Sequence, residues 1–207
     1  LTGIEDFVAL QELECGDNEL TTLDVSQNTA LTNLYCAYNE LISLNVSGAP
    51  LQNLVCSSNE LANLDVSQNT NLATLYCMNN YLVSLDVSQH SSLTDLVCTN
   101  NYLTTLDISG ASSLTYILCE GNLLSSLDVS DASLLNYLDC SDNQLTSLDL
   151  RNGNNVFLSA FTSSSNPNLY CVSVDDPVYS TANWTLIDSW TSFGCCMLGT
   201  KNDKARR

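Results

Sequence analysis

The apolar residues of this chain recur in a fixed rhythm. Leu10, Leu13, Cys15, Leu20, Leu23 and Val25 stand at steps of 3, 2, 5, 3 and 2, and the pattern restarts at Leu31, Leu51, Leu72, Leu93, Leu114 and Leu135. The starts lie 21, 20, 21, 21, 21 and 21 residues apart. No helix of period 3.6 fits this spacing. The two-residue steps predict short strands with alternate side chains inward, and the longer steps predict turns. Each repeat is doubled, as in Leu51–Asn59 (LxxLxCxxN) followed by Leu61–Asn69 (LxxLDVSxN). One coil therefore has two extended sides, each burying an inward pair. A fixed period of this size predicts a solenoid whose coils share a core with their neighbours. A helix on the second side is disfavoured, because TTLDVSQNTA is β-branched and turn-rich.

The ends depart from the rhythm. Residues 1–9 carry Leu1, Ile4 and Phe7 without the Cys and Asn slots and read as the remnant of an N-terminal cap. Residues 10–174 form the solenoid of about eight coils, the last degenerate, with Ser163 in the Cys slot and Asn166 in the Asn slot. Residues 175–196 read as a C-terminal cap. Ser180 or Thr181 caps a short helix to about Phe193, and Trp184, Ile187 and Trp190 cover the last coil. Residues 197–207 hold four of the five basic residues and read as a disordered tail.

Three polar or small slots recur. Cys15, Cys36, Cys56, Cys77, Cys98, Cys119 and Cys140 share an inward slot and read as buried free thiols, because their Cβ vectors point inward in parallel. Cys171 lies outside this ladder and is expected to pair with Cys195 or Cys196, tying the cap to the last coil. Asn18, Asn39, Asn59, Asn80, Asn101, Asn122 and Asn143 stand at the bend three residues after each Cys. An inward Asn there can satisfy backbone groups that a buried turn would orphan. Asp24, Asp65, Asp86, Asp107, Asp128 and Asp149 form a third row, interrupted by Asn45. Hydrogen bonds within the DVS turn offset their mutual repulsion, and Ca²⁺ between coils is the competing reading.

The segment LxxLxCxxNxL resembles the leucine-rich repeat, with Cys in its third apolar slot. The 21-residue form with LDVS resembles the nested bacterial class of such repeats, found in secreted and surface proteins of Bacteroidetes-type bacteria. The resemblance runs over about residues 1–196. It implies a right-handed, mainly β coil. A parallel sheet lines its concave face, short strands and turns line the other side, and a small C-terminal cap closes it. The exposed side chains of that sheet would form a recognition surface.

Charge and chemistry narrow the function. With 23 acidic against 5 basic residues, the net charge of −18 argues against nucleic acid, which needs clustered Lys and Arg. No apolar run approaches a membrane span. His90 is the single histidine and sits where Asn28 and Asn69 sit in sibling coils, so it reads as a turn residue. No phosphate loop, metal-ligand spacing or nucleophile elbow accompanies it, and the chain reads as a non-enzyme with no cofactor.

The outward positions carry the remaining signal. Tyr35, Val55, Tyr76, Val97 and Leu118 precede the Cys slot in successive coils. Tyr81 and Tyr102 follow the Asn slot, and Tyr116 and Tyr137 lie two residues before the central row. Contiguous exposed apolar positions predict a binding stripe centred on Tyr76 and Val97, for a neutral or basic protein or glycan. The expected protein is a secreted or cell-surface monomer. Structural self-assembly through its exposed end is one alternative. An ice- or surface-binding flat face built on pairs such as Thr104–Thr105 is another.

Overall fold

The computed structural model describes residues 1–194. Eight three-residue strands stack into one parallel sheet: Glu12–Glu14, Asn33–Tyr35, Asn53–Val55, Thr74–Tyr76, Asp95–Val97, Tyr116–Leu118, Tyr137–Asp139 and Ala160–Thr162. Each strand pairs in register with the strand one coil away, as Tyr76 with Val97 and Val97 with Leu118. The middle residue of every strand points into the core. Leu34, Leu54, Leu75, Leu96, Ile117 and Leu138 are fully buried there.

The second side is less continuous. Strands Thr22–Asp24 and Ser43–Asn45 form one pair, and Ser84–Asp86 and Thr105–Asp107 another. Ser126–Asp128, Ser147–Asp149, Cys171–Ser173 and Ser192–Gly194 form a four-stranded group. Two shallow hollows lie at the breaks. One of about 340 Å³ separates Asp107 from Asp128, and one of about 300 Å³ separates Asp65 from Asp86.

At the bend between the two sides the chain turns through a left-handed residue in each of eight coils. These are Asp17, Tyr38, Ser58, Asn79, Asn100, Gly121, Asp142 and Ser165, with φ from 49° to 66°. This conformation costs a non-glycine residue about 1–2 kcal/mol. It lets the backbone ladder run on through the turn: Asp17 N–H donates to Ala37 O, and Asn79 N–H to Thr99 O.

The following Asn holds the bend. Asn101 donates through Nδ2 to its own Cys98 O (3.0 Å) and to Cys77 O of the preceding coil (3.1 Å). Its Oδ1 accepts from Leu82 N–H, also in the preceding coil (3.0 Å). Asn39, Asn59, Asn80, Asn122, Asn143 and Asn166 repeat both halves of this arrangement. Asn18 reaches Cys15 O and Gly16 O. A second, incomplete Asn row stands at the other bend. Asn28 donates to Ile4 O and Phe7 O, Asn69 to Val46 O and Ala49 O, and His90 Nε2 meets Val66 O at 3.1 Å. Here Asn28 Oδ1, Asn69 Oδ1 and His90 Nδ1 have no partner. Ala49, Ala111 and Ala132 occupy the same slot in other coils. The coil starting at Leu31 is one residue short, and it closes at Gly48, where a Cβ would lie 1.8 Å from Ser26 O.

The C-terminal segment differs from the sequence expectation. The helix is Pro177–Asn183, and its cap is Asp176, whose carboxylate accepts from Val178 and Tyr179 N–H. Past the helix the chain makes a ninth turn. Leu186 bridges to Thr162, and Ser192–Gly194 pairs with Cys171–Ser173. Asp188 accepts from Ser165 and Asn166 N–H, which in earlier coils donate to the next backbone. Trp184 is buried against Phe161 and Phe193, with ring centroids at 5.0 and 5.6 Å. Ile187 packs against this core, whereas Trp190 is exposed, because the chain has already turned outward beyond Asp188.

The seven ladder cysteines are free and buried. Burial is the first cause that raises their thiol pKa values, to about 12 for Cys77 and Cys119. Cys171 is disulfide-bonded. Its expected partners, Cys195 and Cys196, lie outside the described residues, as does the tail 197–207.

Two outcomes follow for stability. Asn101→Ala orphans the buried Leu82 N–H and removes the Asn101 contacts to Cys77 O and Cys98 O, so unfolding in urea should show a loss of at least about 2 kcal/mol. Asn69→Ala should cost less, because three sibling coils already carry Ala in that slot. Native protein at pH 8 should leave the ladder thiols unlabelled by an aromatic disulfide reagent, with reaction appearing on unfolding.

Candidate functional site

The outward face of the eight-stranded sheet consists of the first and third residue of each strand. The third positions run Glu14, Tyr35, Val55, Tyr76, Val97, Leu118, Asp139 and Thr162, paired in one register row. The first positions run Glu12, Asn33, Asn53, Thr74, Asp95, Tyr116, Tyr137 and Ala160. Carboxylates and amides gather at the N-terminal end of the sheet (Glu12, Glu14, Asn33, Asn53), whereas tyrosines stand on both halves, Tyr35 and Tyr76 on the first four strands and Tyr116 and Tyr137 on the last four. Asn33 Nδ2 donates to Glu12 at 3.2 Å, and Asn53 Nδ2 to Asn33 Oδ1 at 2.8 Å. Tyr116 and Tyr137 lie side by side with ring centroids 4.8 Å apart.

The structure changes the expected stripe in two respects. Val97 is 6% exposed, so it presents almost no surface of its own. Its register neighbours are Tyr76 and Leu118. Tyr35, Val55, Tyr76, Leu118, Tyr116 and Tyr137 are half-buried and remain accessible on the face. Tyr81 and Tyr102 are 48% and 52% exposed and stack at 6.0 Å, but they stand past the Asn bend, outside this sheet. The left-handed residue before each Asn turns the chain away from the sheet before these tyrosines are reached. They make a separate surface with Val83 and Leu123, which are also exposed.

Asp95 begins the fifth strand, in the middle of the sheet. In register it lies between Thr74 and Tyr116. It is half-buried, and Oδ2 accepts from Thr94 Oγ1 at 2.5 Å. Burial first and the Asp95 charge second raise the Tyr76 phenol pKa. For Tyr116, burial again leads, with Tyr137, Tyr76, Asp95 and Asp139 adding to it. The carboxylate of Asp95 therefore acts on both phenols. Asp139, at the border, accepts from Ser141 N–H and Oγ.

The opposite side carries the Asp row. Oδ1 of Asp24, Asp65, Asp86, Asp107 and Asp128 accepts from the N–H of the Ser two residues on, at 2.9–3.0 Å, and Asn45 does the same with Ser47 at 3.2 Å. In Asp24 and Asp86 the Ser N–H bond is the first cause lowering the carboxyl pKa, in Asp65 the Ser67 hydroxyl, and in Asp149 the Arg151 side chain. The turn thus supplies the donors that the carboxylate row needs. Among the described residues no group of three or more His, Cys, Asp or Glu side chains is placed to hold a metal ion. The two hollows on this side are lined by hydroxyls and carboxylates together with Leu106 and Ile108 in one and Leu64, Val66 and His90 in the other.

The folded-state pKa values of Asp24, Asp65, Asp86 and Asp149 are depressed. Their contribution to stability is therefore fully present above about pH 4 and lost as pH falls through the depressed value. Asp86→Asn keeps the acceptor for Ser88 N–H, as Asn45 does for Ser47. Its thermal midpoint should lie below the parent's at pH 7 and fall less between pH 4 and pH 2. A steeper fall in the variant would show that the carboxylate is not what titrates.

Comparison with known proteins follows the geometry. A model described as "LVIVD repeat" matches residues 96–119, about one coil. No curated protein sequence matches the chain. Among solved structures, the functional domain of InlJ from Listeria monocytogenes, described as including a cysteine ladder, is 39% identical. It aligns over 84% of this chain and 41% of that one, with a TM-score of 0.74. The Leptospira interrogans LRR protein LIC12759 is 23% identical over 92% of this chain and 57% of that one, with a TM-score of 0.70. YopM, a leucine-rich effector protein from Yersinia pestis, is 22% identical over 79% and 50%, with a TM-score of 0.60. The chain covers about half the length of each of these proteins. Stacked coils, the Cys and Asn ladders and these alignments identify the chain as a bacterial-type leucine-rich-repeat solenoid.

Proposed function

We propose that the chain is a non-catalytic binding module of a secreted or cell-surface protein, and that the aromatic patch of its eight-stranded sheet around Tyr76, Tyr116 and Tyr137 docks a protein partner. One observation carries the reading. Tyr76, Leu118, Tyr116 and Tyr137 form a contiguous outward patch on positions that the solenoid does not need for its own core. The core is already filled by the middle residues of the same strands. Aromatic anchors with a border of carboxylates and amides match the anatomy of a protein interface. The leucine-rich-repeat relatives support a binding role, and the disulfide at Cys171 supports an oxidising compartment. No helix among the described residues is long and apolar enough to cross a membrane.

The test starts from a binder selected against the native protein out of a displayed library of natural protein fragments. Tyr76→Ala and Tyr116→Ala should each weaken binding by about 1–3 kcal/mol and leave the thermal midpoint nearly unchanged. Tyr81→Ala should bind normally. Selected fragments that bind both sheet variants as tightly as the parent would place the docking face elsewhere. Val97→Asp is unsuitable as a binding variant. It buries a carboxylate beside Tyr76 and Leu118 and should destabilise the fold by about 2–5 kcal/mol in urea unfolding.

A further inference from the structure

We infer that the sheet recognises a cationic side chain, arginine or lysine, of its protein partner, seated on Asp95 between Tyr76 and Tyr116. The inference rests on the docking role proposed above and names what the centre of that face selects. Asp95 is a half-buried carboxylate whose register neighbours are Thr74 and Tyr116, with Tyr76, Val97 and Leu118 in the adjacent outward row. Its Oδ2 accepts from Thr94 Oγ1, and no bond to Oδ1 is seen among the described residues. Among the described residues it has no counter-ion. Residues 1–194 contain a single Lys or Arg, Arg151, which is bound to Asp149 on the other side.

A carboxylate in an apolar surround gains most from a charge-assisted bond, and the Tyr rings beside it attract the same cation through their faces. Tyr137, against Tyr116, extends the aromatic wall, and Asp139 adds a second negative charge at its border. The raised phenol pKa values of Tyr76 and Tyr116 agree with this placement, because Asp95 contributes to both. An acidic or neutral partner would leave the centre of the interface holding an unpaired carboxylate. That arrangement selects against such partners as strongly as it favours a basic one.

Panning a displayed random 12-residue peptide library against the native protein tests this. The expected result is enrichment of Arg or Lys flanked by apolar residues. Binding should fall at least tenfold with Asp95→Asn and when the peptide's basic residue is replaced by citrulline or norleucine. It should also weaken as salt rises, and survive Asp128→Asn on the opposite side. Asp95→Asn keeps an acceptor for Thr94 Oγ1, and an unchanged thermal midpoint confirms its fold. Peptides that need Tyr76 and Tyr116 but bind Asp95→Asn normally would overturn the cation inference and leave the docking face in place. Peptides indifferent to Tyr76 and Tyr116 would overturn both.

Discussion

The buried bend after each Cys is the constraint on which the solenoid depends. A coil about twenty residues long must turn sharply while its backbone groups lie away from water, and an orphaned buried N–H or C=O costs about 1–3 kcal/mol. One side chain resolves this. The Asn amide donates to the Cys carbonyls of its own and the preceding coil, and its oxygen accepts from the Leu N–H of that preceding coil. Asn18 bonds only within its own coil, whereas from Asn39 to Asn166 both ends of the amide are used and each bond set spans two coils. The same Asn therefore satisfies the turn and joins neighbours, so local geometry and long-range stacking are one interaction. The slot is Asn in all eight coils. The other bend shows the contrast. There only the donor end of Asn28 and Asn69 is used, and Ala or His stands in the slot elsewhere.

The Cys slot follows from the same bend. Its carbonyl is the acceptor shared by two Asn amides, as Cys98 O is by Asn101 and Asn122. Its side chain enters the core beside the turn, where a small apolar group fits. Burial raises these thiols and keeps them from ionising, so the ladder behaves as packing. At the C-terminal end the stack can stop because other groups take over the roles of a next coil. Asp188 accepts the N–H groups of Ser165 and Asn166, and Trp184 covers Phe161. A carboxylate and an indole replace backbone and leucine.

With the interior this uniform, the two outer sides are free to differ. On the second side Ser and Asp close their own turns, and little is left over for a partner. On the sheet, strand geometry fixes the spacing but not the identity of outward residues. Tyr76, Tyr116 and Tyr137 gather around Asp95, which has no counter-ion among the described residues. The structural rows thus repeat with little variation, and the aromatic face does not repeat.

The period, the inward slots and the two extended sides were legible in the sequence, because each coil must place the same apolar groups at the same depth. Leu96, Cys98 and Asn101 could be assigned from spacing alone. The in-register row from Tyr35 to Leu118 also follows from the repeat. Three features were decided only by the tertiary structure. Val97 alternates outward like Val55, yet it is buried while Val55, flanked in register by two tyrosines, stays accessible, so alternation places a side chain outward without fixing how far it is covered. Tyr81 and Tyr102 leave the sheet because a left-handed residue two positions earlier redirects the chain, and residues as different as Asn79, Tyr38 and Gly121 adopt that conformation under the backbone ladder. The ninth turn bears no Leu–Cys–Asn signature. Its hydrogen bonds come from Asp188 and its packing from Trp184, and these groups replace a coil only once the eighth coil is there to be covered.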